Sequence, residues 1–275
     1  MPDLYSVTVP PWIEEQTAEE DTRKWIWWGI PTLIAVGVLA AFYYHRKHQE
    51  EPPVQQVRSA PVSPVAPARP DYPIPPEATN AQPLPVLADS DAAVKDSLTG
   101  VFGRSLDEFL VPTDIVRHIV VTVDNLMRGK ASVQMWPLKP TPGQPVVAGA
   151  DEQLILSEDN FARYEPIMKM VRSTDVRQVA AVYKHFYPLF QQVYANLGYP
   201  NGYFNNRLVE VIDNLLEAPE VRGPIRLVQP GVLYQFADPA LEDRSAGQKL
   251  LIRMGSNNAA IIKTKLRELR SEIAR

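Results

Sequence analysis

Residues 186–221 read FYPLFQQVYANLGYPNGYFNNRLVEVIDNLLEAPEV, and this stretch predicts two helices joined by a tight turn. Apolar side chains recur at helical spacing on both sides of the turn, as they do on the buried face of an amphipathic helix. The turn itself, residues 199–202, is Tyr-Pro-Asn-Gly, a combination that favours chain reversal. We expect Pro188 to kink or split the first helix and Pro219 to stop the second. The stretch therefore indicates a helical domain.

The same helical spacing continues on both sides of this stretch, from residue 88 to residue 275. It predicts one compact, mainly α domain. Two segments interrupt the pattern, PVVAGADEQLIL at residues 145–156 and IRLVQPGVLYQFAD at residues 225–238. Each contains two brief β-prone runs around a turn, so we expect one or two short β-hairpins.

The central stretch also concentrates aromatic, amide and charged side chains, which together could hold a peptide, a glycan or a lipid headgroup. The predicted binding residues are Tyr187, Gln191, Tyr194, Tyr199, Tyr203, Phe204, Asn205, Asn206, Arg207 and Asp213. The structural alternative is that the rings fill a small helical core and that Arg207 pairs with Asp213 or Glu210. The sequence leaves both interpretations open.

No motif in the domain assigns a reaction. The chain contains no Cys, which excludes disulfides, thiolate metal sites and Cys nucleophiles. Its domain has only His118 and His185, too far apart to predict a helical ligand pair, so no metal site and no cofactor are predicted. Patterns for a nucleophilic serine, a phosphate-binding loop or a dinucleotide fold are also missing from the sequence. Nothing here is a reason to assign a catalytic residue or an enzyme activity.

The charge of the domain argues against nucleic acid as a partner. Residues 88–275 carry 22 acidic and 22 basic side chains. This balance lacks the positive excess that favours contacts with phosphates.

Residues 45–87 precede the domain and predict a disordered, extended, Pro-rich linker. The chain has 27 Pro residues, and many of them lie here, in runs such as PVSPVAPARP. As a polyproline helix the linker would reach ~130 Å. It could be a passive spacer or itself a docking site, since Pro-x-x-Pro recurs from Pro61 through Pro64, Pro67 and Pro70 to Pro73.

Residues 25–44, WIWWGIPTLIAVGVLAAFYY, contain no charged side chain. As a helix they would extend ~30 Å, the thickness of a bilayer core, and aromatic rings stand at both ends. We therefore predict one transmembrane helix, which contacts the lipid bilayer and follows an acidic tail at residues 1–24. Gly37 and Ala41 have the small-xxx-small spacing that could allow a weak homodimer.

The charges beside the span do not decide its orientation. Arg23 and Lys24 precede it, and Arg46, Lys47 and Arg58 follow it. By analogy with envelope proteins that hold a domain away from the membrane, we expect a single-pass protein of the bacterial inner membrane. Its carboxyl-terminal domain would then be periplasmic.

Four segments carry a resemblance to a known family: DNLMRGK, YPLFQQVYANLGYPNGYFNNRLVEVIDNLL, PIRLVQPGVLYQFADPALE and SAGQKLLIRMG. They resemble a family of bacterial membrane proteins known only as a domain of unknown function, number 3014. The resemblance covers the chain from about residue 88 to its end. It implies one compact domain behind a membrane anchor in a proteobacteria-like envelope, and it supplies no activity, cofactor or catalytic residue.

Two functions of different class follow from these observations. The first is a non-catalytic protein-interaction or scaffold domain that binds an envelope protein partner, with the linker setting its reach. The alternative is an envelope enzyme or a glycan-binding or lipid-binding module that acts through residues 186–221.

Overall fold

The structure, a computed structural model, describes residues 69–75, 83–150 and 153–275. The predicted acidic tail, the predicted transmembrane helix with Gly37 and Ala41, and most of the predicted linker lie outside these ranges. Within the described ranges, no helix is both long enough and apolar enough to cross a membrane.

The part of the chain that the structure describes is mainly helical, as predicted. Its α-helices are α1 (Asp91–Phe102), α2 (Leu106–Phe109), α3 (Ile115–Leu126), α4 (Asp159–Ala162), α5 (Glu165–Ser173), α6 (Val176–Asn196), α7 (Phe204–Leu216), α8 (Pro239–Glu242), α9 (Ala246–Met254) and α10 (Ser256–Ile273). Short 3-10 helices occur at Leu87–Asp89 and Val133–Met135.

Two antiparallel hairpins lie in the two segments where the sequence predicted them. In the first, β1 (Val147–Ala148) pairs with β2 (Ile155–Leu156), and in the second, β3 (Leu227–Val228) pairs with β4 (Gln235–Phe236). A single bridge between Ile155 and Arg226 links the two hairpins. Apolar side chains of both hairpins pack against Ile252 of α9 in a small cluster of their own.

The central helix of the domain is α6, and α1, α3, α7 and α10 pack around it. Its ring side chains, Tyr183, Phe186 and Phe190, fall at helical spacing and are buried. Burial of each such ring stabilises the fold by ~2–3 kcal/mol relative to an exposed ring. The four surrounding helices therefore pack against the apolar face of α6.

Two prolines that lie within helices, Pro166 and Pro188, behave differently. Pro166 lies in the first turn of α5 and separates it from α4, where its missing N–H costs no hydrogen bond. Pro188, by contrast, lies inside α6, which continues through it as one helix of 21 residues. Pro188 is exposed, so the gap that its missing N–H leaves in the backbone hydrogen bonds of α6 lies on the solvent side.

Parts of the predicted linker pack against the domain. Tyr72, Ile74, Leu84 and Leu87 all contact the main apolar core. The expected disorder therefore does not extend to residues 69–75 or 83–87. Residues 69–75 are called the docked segment below.

The junction between α9 and α10 requires glycine. Gly255 has φ of 85° and ψ of 155°, a conformation that side chains disfavour. A Cβ atom at this position would lie 2.7 Å from Cγ of Phe161. With glycine at this position, α10 starts directly after α9 ends.

Candidate functional site

A cleft with a volume of 720 Å³ opens beside the turn between α6 and α7. Side chains of α3, α6 and α7 form it together with the docked segment. We call it the tyrosine cleft. Its lining residues are Arg69, Asp71, Tyr72, Asp124, Tyr194, Tyr199, Asn201, Gly202, Tyr203, Asn206, Arg207, Val209, Glu210 and Asp213.

Gln191 of α6 fixes the turn behind the cleft. Its Nε2 donates to the carbonyl of Gly202 at 2.7 Å, and its Oε1 accepts from the backbone N–H of Phe204 at 2.8 Å. Oε1 also accepts from the Tyr187 hydroxyl at 3.1 Å. Because the Phe204 N–H is the first backbone N–H of α7, the side-chain amide of Gln191 acts as an N-terminal cap of that helix. The turn is therefore held at a defined position against α6.

Two tyrosine rings form the aromatic wall of the cleft. Tyr194 and Tyr199 stack with their centroids 4.6 Å apart and their planes 16° from parallel. Tyr194 is buried, and this burial raises the pKa of its hydroxyl. Tyr199 is 37% exposed, so part of its ring remains open to a bound group. Stacked rings of this kind can hold a sugar, a proline or a cation.

A buried carboxylate, Asp124 of α3, lies at the base of the cleft. Its Oδ1 is 3.1 Å from Nε of Arg207, and its Oδ2 is 2.9 Å from Nη2 of Arg128. Arg207 also donates from Nη2 to the Asp124 carbonyl at 3.0 Å and from Nη1 to Glu210 at 2.9 Å. Burial lowers the pKa of Arg207, but the hydrogen bond to Glu210 and the nearby charges outweigh it and raise that pKa. These hydrogen bonds and ion pairs join α3 to α7.

A second ion pair joins α7 to α10. Asp213 receives two hydrogen bonds from Arg270, at 2.5 Å from Nε and 2.9 Å from Nη2. This bidentate geometry fixes the carboxylate more firmly than a single contact would. Of the two partners suggested for Arg207 by the structural interpretation, Glu210 is confirmed, whereas Asp213 pairs with Arg270 instead.

Two consecutive asparagines in the first turn of α7 hold the docked segment. Asn205, which is 0% exposed, donates from Nδ2 to the Tyr72 carbonyl at 2.8 Å. Asn206 accepts from the Tyr72 N–H at 3.2 Å and donates to Asp71 at 2.8 Å. The docked segment thus forms one side of the tyrosine cleft.

The ten predicted binding residues divide into two groups. Six of them line the cleft: Tyr194, Tyr199, Tyr203, Asn206, Arg207 and Asp213. The other four lie outside its lining and make contacts within the domain: Tyr187, Gln191, Phe204 and Asn205. Phe204 and Tyr194 belong to the core, as the structural interpretation held.

The sequence reasoning missed Asp124, Arg270 and the residues of the docked segment. Asp124 did leave a signal, because it is a carboxylate within the otherwise apolar pattern of α3, and buried carboxylates require partners. The residues that the structure describes contain no group of three or more His, Cys, Asp or Glu side chains placed to hold a metal ion.

The chain matches no curated protein and no solved structure. The model of a family described as protein of unknown function (DUF3014) matches residues 115–270, more than half of the chain. This match runs from the first residue of α3 into the last turn of α10, and includes the α3, α6 and α7 walls of the tyrosine cleft. The chain therefore belongs to the DUF3014 family.

Proposed function

We propose that this chain is an envelope protein of bacteria, anchored in the inner membrane through residues 25–44, whose periplasmic domain binds another protein. The anchor is supported by the uncharged, aromatic-flanked stretch in the sequence, and the periplasmic location by analogy with envelope proteins that hold a domain away from the membrane. Protein binding rather than catalysis is supported by the hydrogen bonds and ion pairs that the charged groups of the tyrosine cleft already make.

One observation carries the choice of binding over catalysis. All four carboxylates in the cleft lining already accept hydrogen bonds: Asp124 from Arg207 and Arg128, Asp213 from Arg270, Glu210 from Arg207, and Asp71 from Asn206. An arginine does not lose its proton in a protein, so these guanidinium groups are fixed charges and cannot act as acids or bases. General acid–base catalysis needs a carboxylate free to reach a substrate proton. The arrangement instead presents a fixed pattern of charges around an exposed ring.

This pattern suits a protein surface. Arg207 and the two stacked tyrosines are residue types enriched where protein complexes gain most of their binding energy. Because Gln191 and Asp124 hold them in place before any partner arrives, little side-chain entropy is lost on binding. The exposed carboxylate of Glu210 lies beside them at the rim.

Crosslinking in living cells tests this function. A photoreactive amino acid replaces Tyr199, which is 37% exposed in the cleft, in the full-length chain. The control replaces Val232, which is 91% exposed on the second hairpin, well outside the cleft lining. We expect a defined protein adduct from position 199 that is not formed from position 232 and that Arg207→Ala weakens. An equal set of adducts from both positions would contradict protein binding at the cleft.

Topology is tested separately. A reporter fused after Arg275 that is active only in the cytoplasm would overturn the proposed periplasmic location. A reporter active only after export supports it.

A second candidate function follows from the exposed face of Tyr199. Stacking on an aromatic ring is a common way to hold a sugar, so a glycan-binding or lipid-headgroup-binding module, or an envelope enzyme acting on such material, is the alternative. The same crosslinking experiment separates the two. A glycan or lipid adduct from position 199, in place of a protein, favours the alternative.

A further inference from the structure

The docked segment is a short peptide of the same chain that lies against the domain. The main chain of Tyr72 is held on both sides, by Asn206 at its N–H and by Asn205 at its carbonyl. Main-chain contacts of this kind give affinity for a peptide segment, whereas the side chains beside them give specificity.

Two side chains of the docked segment meet matching groups on the domain. The Asp71 carboxylate accepts from Nδ2 of Asn206 at 2.8 Å. Tyr72 packs against the main core and lies beside Arg270. Pro70 and Pro73 flank these two residues, and their restricted φ reduces the entropy that the peptide loses on binding. The segment therefore carries an acidic residue, an aromatic residue and a proline in order.

Two of the groups that meet the segment, Asn205 and Arg270, have other partners within the domain. Oδ1 of Asn205 accepts from the buried Tyr183 hydroxyl at 3.0 Å. Nδ2 of the same side chain also donates to the carbonyl of Ile273 at 2.8 Å. Arg270 is held by its two bonds to Asp213. These contacts orient the groups that meet the segment, as expected of a preorganised binding site.

We propose that Asn205, Asn206 and Arg270 form a binding site for peptides of the type Asp-Tyr-Pro, and that residues 71–73 are its resident ligand. A partner segment of the same chemistry replaces the resident ligand and reaches Tyr199 and Arg207 along the adjoining cleft. This inference rests on the proposed protein-binding function and adds the chemistry of the partner. It also answers the question of whether the linker is a spacer or a docking element, since Pro70 to Pro73 is one of its Pro-x-x-Pro repeats.

The resident ligand competes strongly because it is part of the same chain. A short connection gives an effective concentration on the order of 1 mM, so a free peptide of equal affinity must exceed that concentration to displace it. Weakening the resident ligand should therefore raise the apparent affinity for a free peptide at least tenfold.

A labelled peptide tests the site in the purified full-length chain in detergent. The peptide is ARPDYPIPP, the sequence of residues 68–76, and its binding is measured by fluorescence anisotropy. The chain variant Tyr72→Ala removes the main anchor of the resident ligand. We expect the peptide to bind this variant at least tenfold more tightly than it binds the wild-type chain. A peptide with alanine in place of its tyrosine should bind neither.

Two double variants localise the binding. Adding Asn206→Ala to Tyr72→Ala should weaken peptide binding at least fivefold, because Asn206 loses its contacts with both the main chain and the aspartate. Adding Asn196→Ala instead changes an exposed asparagine at the end of α6, outside the cleft lining, and it should leave binding unchanged. Equal effects of the two second substitutions would overturn the assignment of the site.

Hydrogen exchange supplies the fold control. In the wild-type chain the Tyr72 amide should be protected, and Tyr72→Ala should leave the Phe204 amide protected. Asp71 is exposed, so Asp71→Ala weakens the resident ligand without touching the core if Tyr72→Ala proves unstable. An unprotected Tyr72 amide, or no peptide binding to a folded variant, refutes the inference. A peptide that binds while position 199 yields no protein adduct refutes the proposed function alone.

Discussion

Arg207 of α7 holds both the carboxylate and the main-chain carbonyl of Asp124 in α3, with Nε 3.1 Å from Oδ1 and Nη2 3.0 Å from the carbonyl oxygen. The two residues are 83 positions apart in the sequence. Their contact connects the base of the tyrosine cleft to the packing of the domain, so the site and the fold depend on the same pair.

Removing Asp124 should cost more stability than removing any one of its exposed partners. In Asp124→Ala the Arg207 guanidinium, 20% exposed, loses its buried counter-charge, and we expect the free energy of unfolding to fall by about 2–3 kcal/mol. Arg128 is 57% exposed, so Arg128→Ala should cost no more than about 0.5 kcal/mol. Urea unfolding of the full-length chain measures both. Equal losses would contradict a dominant Asp124–Arg207 pair.

Gln191→Leu should loosen the turn that carries Tyr199. The substitution keeps the side-chain volume but removes the partners of the Gly202 carbonyl and the Phe204 N–H, at a cost of about 1–2 kcal/mol. Hydrogen exchange at the Phe204 amide should accelerate. Gln178→Leu, an exposed substitution on the same helix, is the matched control and should leave that amide unchanged.

The Glu242–Lys249 pair predicts a loss of stability in acid. Burial raises the pKa of Glu242, but hydrogen bonds from Lys249 and from the Phe236 N–H prevail and hold that pKa below its ordinary value. A carboxyl group with a lowered pKa in the folded state stabilises the fold above its unfolded pKa of about 4.3. Its contribution disappears as the pH falls through the folded pKa.

Glu242→Gln should therefore destabilise the chain at pH 7, and the difference from wild type should shrink as the pH falls below about 4. Asp243→Asn, which neutralises the exposed carboxylate next in sequence, controls for the change in net charge. Thermal unfolding of both chains measures the difference at pH values between pH 3 and pH 7 that are about one pH unit apart. A difference that stays constant over this range would exclude the proposed coupling.

Two glycine substitutions should change stability in opposite directions. Gly255→Ala introduces a Cβ 2.7 Å from the Phe161 ring at a φ of 85°, so we expect a loss of about 1–3 kcal/mol. Gly100 lies in α1, where an added Cβ would meet no neighbouring group within 4 Å, so Gly100→Ala should stabilise by about 0.5–1 kcal/mol. Denaturant midpoints compare the two. A neutral Gly255→Ala would show that the Phe161 ring can move aside.

The sequence was sufficient for the helices and hairpins because their signals are local. The apolar spacing through Tyr183, Phe186 and Phe190 describes the buried face of α6 directly. The pairing of Arg207 with Glu210 is also local, since residues three apart are neighbours on a helix. These features needed no knowledge of the tertiary structure.

The parts of the site that the sequence did not predict depend on contacts between residues far apart in the chain. Asn205 and Tyr72 are 133 positions apart, and no periodicity relates a Pro-rich segment to a helix so far along the chain. For the same reason the sequence suggests Asp213 as one of two possible partners of Arg207, although Asp213 pairs with Arg270, 57 positions away. The composition of residues 69–75 is that of a linker. The segment differs from a linker in its contacts with the domain, such as those with the asparagines of α7.

The docked segment also determines how the domain responds to mechanical force. A pull applied to the chain on the amino-terminal side of residue 69 reaches the hydrogen bonds of Asp71 and Tyr72 before it reaches α1. These bonds to Asn205 and Asn206, together with the core contacts of Tyr72 and Ile74, carry the load first and can break while the packing around α6 stays intact. Tension would then release a length of chain before it unfolds the domain.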